Sequence, residues 1–413
     1  MAVDNFDLSP EVTIIGAGPC GCAFAADLAS RGKSVMLYGH PDHRGAIPMI
    51  EKNGGWLKAS GEISGTFQVQ TTSDFDVAAR HSAFLVSTVP SYGQETILQA
   101  LSPCDLQHHT LIVNVGNFFY LASRQKINPK NVLETDISPY ATRITGDTVF
   151  VKGVKKSLAI WAEPPTSETE ASYYNQADVD FLHQEVESIF SQRLVWCKNL
   201  LEVGLNNINP VVHCPAALMN AGWIEATRGD FFFYAQGMSP AVSRVTEKID
   251  GERLAIARAY GLDLVSITDY MNQNYRHDQE FSDYHDFARG SVIHNKTKSA
   301  PTSMNHRYLL EDILFAMVPW YELGLKAGLS SPTIHSLIEL ASVVSGFDYL
   351  THGRSLRAAG FEELSMEQIL LALGGPADNA AAAVLAPLSD SRINGRVNGV
   401  DSHVALPKTQ VVA

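Results

Sequence analysis

Short apolar runs alternate with helically spaced stretches through the first half of the chain, and long amphipathic stretches take over in the second. The β-branched runs at residues 13–15, 34–38, 67–71, 83–89, 110–115 and 131–135 predict buried strands. Helical spacing falls between several of them, at 92–101 and 117–124. Such alternation predicts a parallel, doubly wound sheet, which runs at 148–151 and 157–162 complete. Residues 163–177, with their prolines, serines and glutamates, predict a surface loop before a helix near 178–191. Beyond about residue 190 strand-like runs nearly vanish, and amphipathic segments at 212–221, 241–260, 308–327, 332–340 and 366–373 predict helices. Ser239 and Pro240 mark one helix start, serine as cap and proline in the first turn. No internal repeat is visible.

The first strand runs straight into Gly16-Ala17-Gly18-Pro19-Cys20-Gly21. Glycines at that spacing allow a tight turn, close approach of backbone to a pyrophosphate and close packing of the next helix. That helix, from Cys22 to about Ser30, aims its unpaired N–H groups at the phosphates. The expected fold is an α/β Rossmann-type nucleotide-binding domain over 1–190, followed by an all-helical substrate and catalytic domain over 191–375 and a loosely packed tail over 376–413. Gly16, Gly18, Pro19, Cys20 and Gly21 are the expected cofactor-binding residues. No carboxylate closes the second strand, where an NAD enzyme usually places one for the ribose. His40, His43 and Arg44 follow it instead, and Arg44 with His40 or His43 suits a 2′-phosphate. NADP(H) is therefore favoured. Asp42 in the same loop keeps NAD(H) open.

A net charge of −13 argues against nucleic acid or an anionic membrane as partner. Five cysteines (Cys20, Cys22, Cys104, Cys197 and Cys214) form no CxxC pair, which fits a reducing compartment. With no signal-peptide pattern and no apolar stretch near ~20 residues, a cytoplasmic protein is expected. His277, Asp278, Asp283, His285 and Asp286 share a polar segment that matches no standard metal site and reads as a solvated face, so no metal is expected. Phe231 to Tyr234 reads as core or as the wall of an interdomain cleft.

Asn209-Pro210-Val211-Val212-His213 reads as a helix start that sets His213 in its first turn. The dipole there lowers an imidazole's pKa unless a carboxylate offsets it, so the position suits acid–base work. Taken alone, a histidine in such a stretch is more often structural. Arg307, Glu311 and Asp312 gather where an apolar helix begins. The carboxylates complement a dipole, whereas the arginine fork suits a carboxylate ligand. Gln94 and Thr135 follow candidate strands, whose carboxyl ends face the ligand crevice in folds of this kind.

Taken in order, N-I-N-P-V-V-H, F-F-F-Y-A-Q-G-M-S-P and M-N-H-R-Y-L-L-E-D resemble the octopine/nopaline (opine) dehydrogenase family, as do T-V-P-S-Y-G-Q and E-T-D-I-S-P-Y. The resemblance implies NAD(P)H-dependent condensation of an amino acid with a 2-oxo acid, through an imine, to a secondary amine dicarboxylate. It implies that His213 is catalytic, that Asp312 partners it, and that Arg307 holds a substrate carboxylate, with Gln94 and Thr135 near the oxo acid. A homodimer is compatible with it. A 2-oxo acid reductase needing no amine, or an NADP(H)-sensing protein without catalysis, are the alternatives.

Overall fold

The computed structural model describes residues 11–163, 176–275, 277 and 279–373. Among these the chain divides into two compact units, the first taking 11–163, 176–208 and the stretch within 265–297, the second 209–264 and 298–373.

The first unit is built on an eight-stranded sheet of order β12-β11-β8-β7-β6-β1-β2-β5. These strands are β1 (Val12–Ile15), β2 (Val35–Tyr38), β5 (Gln70–Thr72), β6 (Phe84–Ser87), β7 (Thr110–Val113), β8 (Asn131–Thr135), β11 (Ser157–Ala162) and β12 (Arg193–Trp196). Every ladder is parallel except β8 with β11, where Ile160 faces Thr135. β1, β2 and β7 are buried at every position, as a parallel sheet covered on both faces requires. A second sheet, β4-β3-β10-β9, is formed by β3 (Trp56–Gly61), β4 (Gly65–Gln68), β9 (Tyr140–Thr145) and β10 (Thr148–Val154).

Several departures from the sequence pattern have simple causes. The apolar run at 67–71 is two strands: Phe67 pairs with Leu57 in the small sheet, and Thr71 pairs with Leu37 in the large one. Residues 148–151 also lie in the small sheet, so 157–162 alone extends the large one. The strand expected over 110–115 stops at Val113, because Val115 turns left-handed at φ 58°. Residues 265–297 return to the first unit instead of staying in the helical one. They are fastened there by Asn274, whose side chain accepts from Ser157 Oγ at 2.8 Å, and by the Tyr270 hydroxyl, 3.5 Å from Asp136. Periodicity marks such a stretch as helical but does not say which core it covers. The loop expected at 163–177 and the tail at 376–413 lie, apart from Glu163 and the first residues of the helix Gln176–Ile189, outside the described residues.

Helices make up the second unit among the described residues. Its site is carried by α3 (Asn209–Met219), α5 (Arg307–Leu310) and α6 (Val318–Lys326), while α4 (Pro240–Ala259) and α7 (Pro332–Ser345) pack around them. The nucleotide unit contributes α1 (Pro19–Ser30) and α2 (Gln94–Leu101). Ser239 caps α4 by accepting from Val242 N–H, as its sequence implies. The segment expected as one helix over 308–327 is broken into α5, a wide π-helical turn over Ile313–Met317, and α6. Pro319 explains the break. It has no N–H for the Phe315 carbonyl, and its ring would press on that turn; the Val318 N–H instead reaches back five residues to Ile313 O. Asp312 stands where the wide turn begins.

Glu252, 7% exposed on α4, accepts from Thr333 N–H and Ile334 N–H at 2.9–3.1 Å and thereby caps α7. Replacing Glu252 by Ala leaves those donors unpaired and should lower stability by ~2–3 kcal/mol, read as a lower urea midpoint at unchanged slope. An unchanged midpoint would show that solvent satisfies the end of α7.

Candidate active site

The glycine turn has the geometry its sequence implies. Gly16 takes φ +109°, which only glycine adopts without strain, and its N–H donates to Tyr38 O at 2.8 Å. Thr88 Oγ donates to the Gly16 carbonyl at 3.0 Å from the end of β6. A Cβ on Gly21 would lie 1.9 Å from Gly16 O, so α1 packs against the turn as closely as backbone allows. A Cβ on Gly18 would meet nothing within 4 Å. Gly18 opens α1 without a side-chain cap, Pro19 stands in its first turn, and that turn carries no acidic residue. A built turn, an open cradle at Gly18 and uncapped N–H groups together fit a dinucleotide pyrophosphate. The Cys20 thiol lies 3.2 Å from Ser138 Oγ and accepts from Asn114 Nδ2 at 3.4 Å.

Past β2, His40 Nδ1 accepts from Asp42 N–H at 3.2 Å, and His40 bridges to His43. Arg44 is engaged on two sides: Nη2 lies 2.7 Å from Glu51 Oε1 and Nε donates to Ser73 Oγ at 3.2 Å. That carboxylate partner, seven residues on, is absent from any reading of the loop by itself.

At the carboxyl end of β7, Val115, Asn117 and Phe118 all take positive φ (58°, 50° and 63°) around Gly116. A β-branched valine in that region is strained and persists only where its surroundings hold it. Gln94 and Thr135 do the holding. Gln94 Nε2 donates to Gly116 O at 3.1 Å, and Thr135 Oγ accepts from Val115 N–H at 3.1 Å. Each is 1% exposed. Asn207, the first asparagine of N-I-N-P, donates to Asn117 Oδ1 at 2.7 Å. No apolar pattern signals this strained loop.

In the second unit, Asn209 and Pro210 open α3, and His213 follows one turn in. Its Nδ1 lies 2.7 Å from Asp312 Oδ2. His213 is 8% exposed and Asp312 1%. Burial pushes the Asp312 carboxyl upward, neighbouring Glu311 adds to this, and Arg307 opposes it. With a carboxylate on Nδ1, the ring proton is assigned to Nδ1 and Nε2 becomes the basic nitrogen. Tyr308 stacks on the imidazole, centroids 3.9 Å apart at 18°, and Phe233 lies 5.2 Å from Tyr308. Phe231 and Phe233 are thus core of this unit, 1% and 0% exposed.

Arg307 places Nε and Nη2 at 2.9 and 2.7 Å from one oxygen of buried Glu311. The carboxylate holds the guanidinium charged and fixes one edge of its fork, while the side chain stays 43% exposed. His306 caps α5, its Nδ1 accepting from Tyr308 N–H at 3.3 Å. Glu311, which the sequence offers as a complement to the helix dipole, instead braces Arg307 one turn back, and His306 is a local cap; the stacking of Tyr308 has no sequence signal because it depends on how a four-residue helix is set against α3. In the polar segment of the first unit, Asp283 caps the helix Tyr284–Gly290, and Asp278 lies outside the described residues. Among the described residues no group of three His, Cys, Asp or Glu is placed to hold a metal, and no helix is long and apolar enough to cross a membrane.

Residues 196–345 match the family described as NAD/NADP octopine/nopaline dehydrogenase, alpha-helical domain, and residues 11–140 match the NAD-dependent glycerol-3-phosphate dehydrogenase N-terminus. Over 372 residues the chain is 29% identical to protein ocs of Agrobacterium tumefaciens (strain Ach5), covering 88% of this chain and 99% of that one. It is likewise 29% identical over 374 residues to vitopine synthase of Allorhizobium ampelinum, with the same coverage. Its fold is similar to that of octopine dehydrogenase solved with NADH and L-arginine, with a TM-score of 0.65 at 20% identity over 87% of this chain and 98% of that one.

Two glycine replacements separate fold from cofactor. Gly21→Ala should lower the melting temperature of the ligand-free protein, because backbone must move. Gly18→Ala should leave that temperature unchanged yet weaken dinucleotide binding on the order of tenfold or more (about 1.4 kcal/mol). Unchanged affinity in Gly18→Ala, by fluorescence titration, would remove the cradle from the site.

Proposed function

Because this chain belongs to the octopine/nopaline dehydrogenase family, we propose that it is an NAD(P)-dependent opine dehydrogenase that joins an amino acid to a 2-oxo acid and reduces the resulting imine. The observation that carries the reading is the His213–Asp312 pair at 2.7 Å, one helix turn from the braced Arg307. The amine nitrogen bonds to the oxo-acid carbonyl carbon, the carbinolamine loses water, and the imine carbon takes a hydride while the nitrogen takes a proton. When bound, the nicotinamide supplies that hydride. Gly16, Gly18, Pro19, Cys20 and Gly21 hold the dinucleotide at the start of α1.

The chain's own residues do the rest. His213 Nε2, left basic because Asp312 occupies Nδ1, takes a proton from the substrate ammonium group as the amine attacks and returns it to the carbinolamine oxygen, which leaves as water. Asp312 also stabilises the ring while it is charged. Arg307 has one edge of its fork committed to Glu311 and offers the other N–H groups to a substrate carboxylate as charge-assisted donors. Gln94 and Thr135 act as positioning residues that hold the strained 115–118 loop at the carboxyl end of the sheet. The five cysteines are free of disulfides and suit a cytoplasmic enzyme.

NADP(H) is the preferred cofactor in this reading, with Arg44 on the 2′-phosphate. Glu51 competes for the same guanidinium, so the preference is modest. Arg44→Ala should raise the Kd for NADPH about tenfold and that for NADH little, since a hydrogen bond to a charged group contributes ~1.5–3 kcal/mol. Equal changes for both would make NAD(H) an equal substrate.

An absorbance assay of NADPH with amino acids against pyruvate, 2-oxoglutarate and glyoxylate decides the reaction. Oxidation that needs both partners is expected; full activity with the oxo acid alone would make the enzyme a 2-oxo acid reductase. His213→Ala should lower turnover ~10²–10⁴-fold with cofactor affinity kept. Arg307→Lys should chiefly raise the KM for an anionic substrate, because a point charge replaces a planar fork. Wild-type kinetics in either variant would contradict its assignment.

A further inference from the structure

His306 stands beside this site, edge-on to Tyr308, and the mechanism gives it no task. Three observations bear on it. Its Nδ1 is spent as an acceptor, taking the Tyr308 N–H at 3.3 Å as the cap of α5, so the ring proton belongs on Nε2. Its ring stands edge-on to Tyr308 with centroids 4.5 Å apart, and Tyr308 in turn stacks on His213 at 3.9 Å. Its Nε2 is neither bonded to another described residue nor sealed from solvent. A cap alone would need only an oxygen, which serine, threonine, asparagine and aspartate supply better. An imidazole here instead adds an N–H close enough to Arg307 and His213 to feel both charges.

We propose that His306 is a second ligand for the 2-oxo acid, a neutral imidazole that donates its Nε2–H to the carboxylate held by Arg307. This rests on the opine dehydrogenase reading above. Burial, with the Arg307 and His213 charges close by, pushes the His306 pKa down to about 3, so the ring stays neutral wherever the enzyme works. Arg307 then contributes charge and His306 contributes direction, which limits how the oxo acid turns about its carboxylate. Because His306 gives up no proton in the reaction, its removal should be read in binding before it is read in turnover.

His306→Ser keeps an N-cap acceptor and removes the Nε2–H, because the short hydroxyl ends at the cap. Binding of pyruvate, 2-oxoglutarate and glyoxylate to the NADP⁺-loaded enzyme is measured by calorimetry, with no amine present. Expected are an unchanged melting temperature, an unchanged Kd for NADP⁺, and a Kd for the accepted oxo acid raised at least about tenfold. A His306→Ser enzyme that binds the oxo acid like wild type overturns the inference and leaves the proposed function standing. A wild-type enzyme that binds none of the three overturns both. Independently of any variant, ¹⁵N-histidine NMR of the wild-type enzyme should show the His306 ring protonated on Nε2 from pH 5 to 8 and displaced by the oxo acid. A His306 ring that titrates in that range, or that ignores the oxo acid, also overturns it.

Discussion

A single contact, His213 Nδ1 to Asp312 Oδ2 at 2.7 Å, sets the requirements that the second unit meets. A carboxylate that is 1% exposed is costly unless it is paired and hydrogen-bonded, and removing its partner would leave a charge stranded in the interior. The two residues lie 99 positions apart, so α3 and the segment after α5 must meet in one register. The π turn over Ile313–Met317 begins at Asp312. Wide turns of this kind recur where function outweighs helix regularity, and here Pro319 makes the regular alternative unavailable. Tyr308, stacked on the imidazole, fixes the ring plane that the carboxylate alone leaves free to pivot.

Charge balance explains the company this pair keeps. Glu311 and Asp312 are adjacent and both 1% exposed, an arrangement that like charges do not tolerate unaided. Each has its own cationic or proton-sharing partner: Arg307 for Glu311, His213 for Asp312. The result is two parallel pairs, one of imidazole with carboxylate and one of guanidinium with carboxylate. Groups held this way are oriented before a ligand arrives, and such preorganisation is the usual source of electrostatic catalysis. His306 belongs to the same economy of charge, since a neutral ring adds a donor without adding a third cation.

The parts of this molecule legible in the chain are those in which neighbouring residues settle the outcome. β8 falls where its apolar run does, and the glycine turn dictates its own geometry because Gly16 and Gly21 leave no room for alternatives. His213, Arg307 and Asp312 were legible as a set through motifs in sequence order. What escaped depends on distant partners. β3 alternates weakly and is defined by β4 and β10; β12 is a strand because β11 lies beside it. Residues 265–297 have the period of any amphipathic helix, and contacts such as those with Ser157 and Asp136 show where they belong. The tie from Arg44 to Glu51, and the left-handed loop at 115–118 clamped by Gln94 and Thr135, are likewise invisible until the strands are in place.

The most direct test of the dyad is Asp312→Asn, which keeps shape and volume but puts an amide where a carboxylate fixed the ring proton. Turnover with the best amino acid and oxo acid pair should fall on the order of 10²–10⁴-fold, while the Kd for the dinucleotide and the fold, checked by circular dichroism, stay as in wild type. A folded Asp312→Asn enzyme that turns over at the wild-type rate would contradict the account, because the imidazole would then be doing its work without the carboxylate around which the unit is arranged.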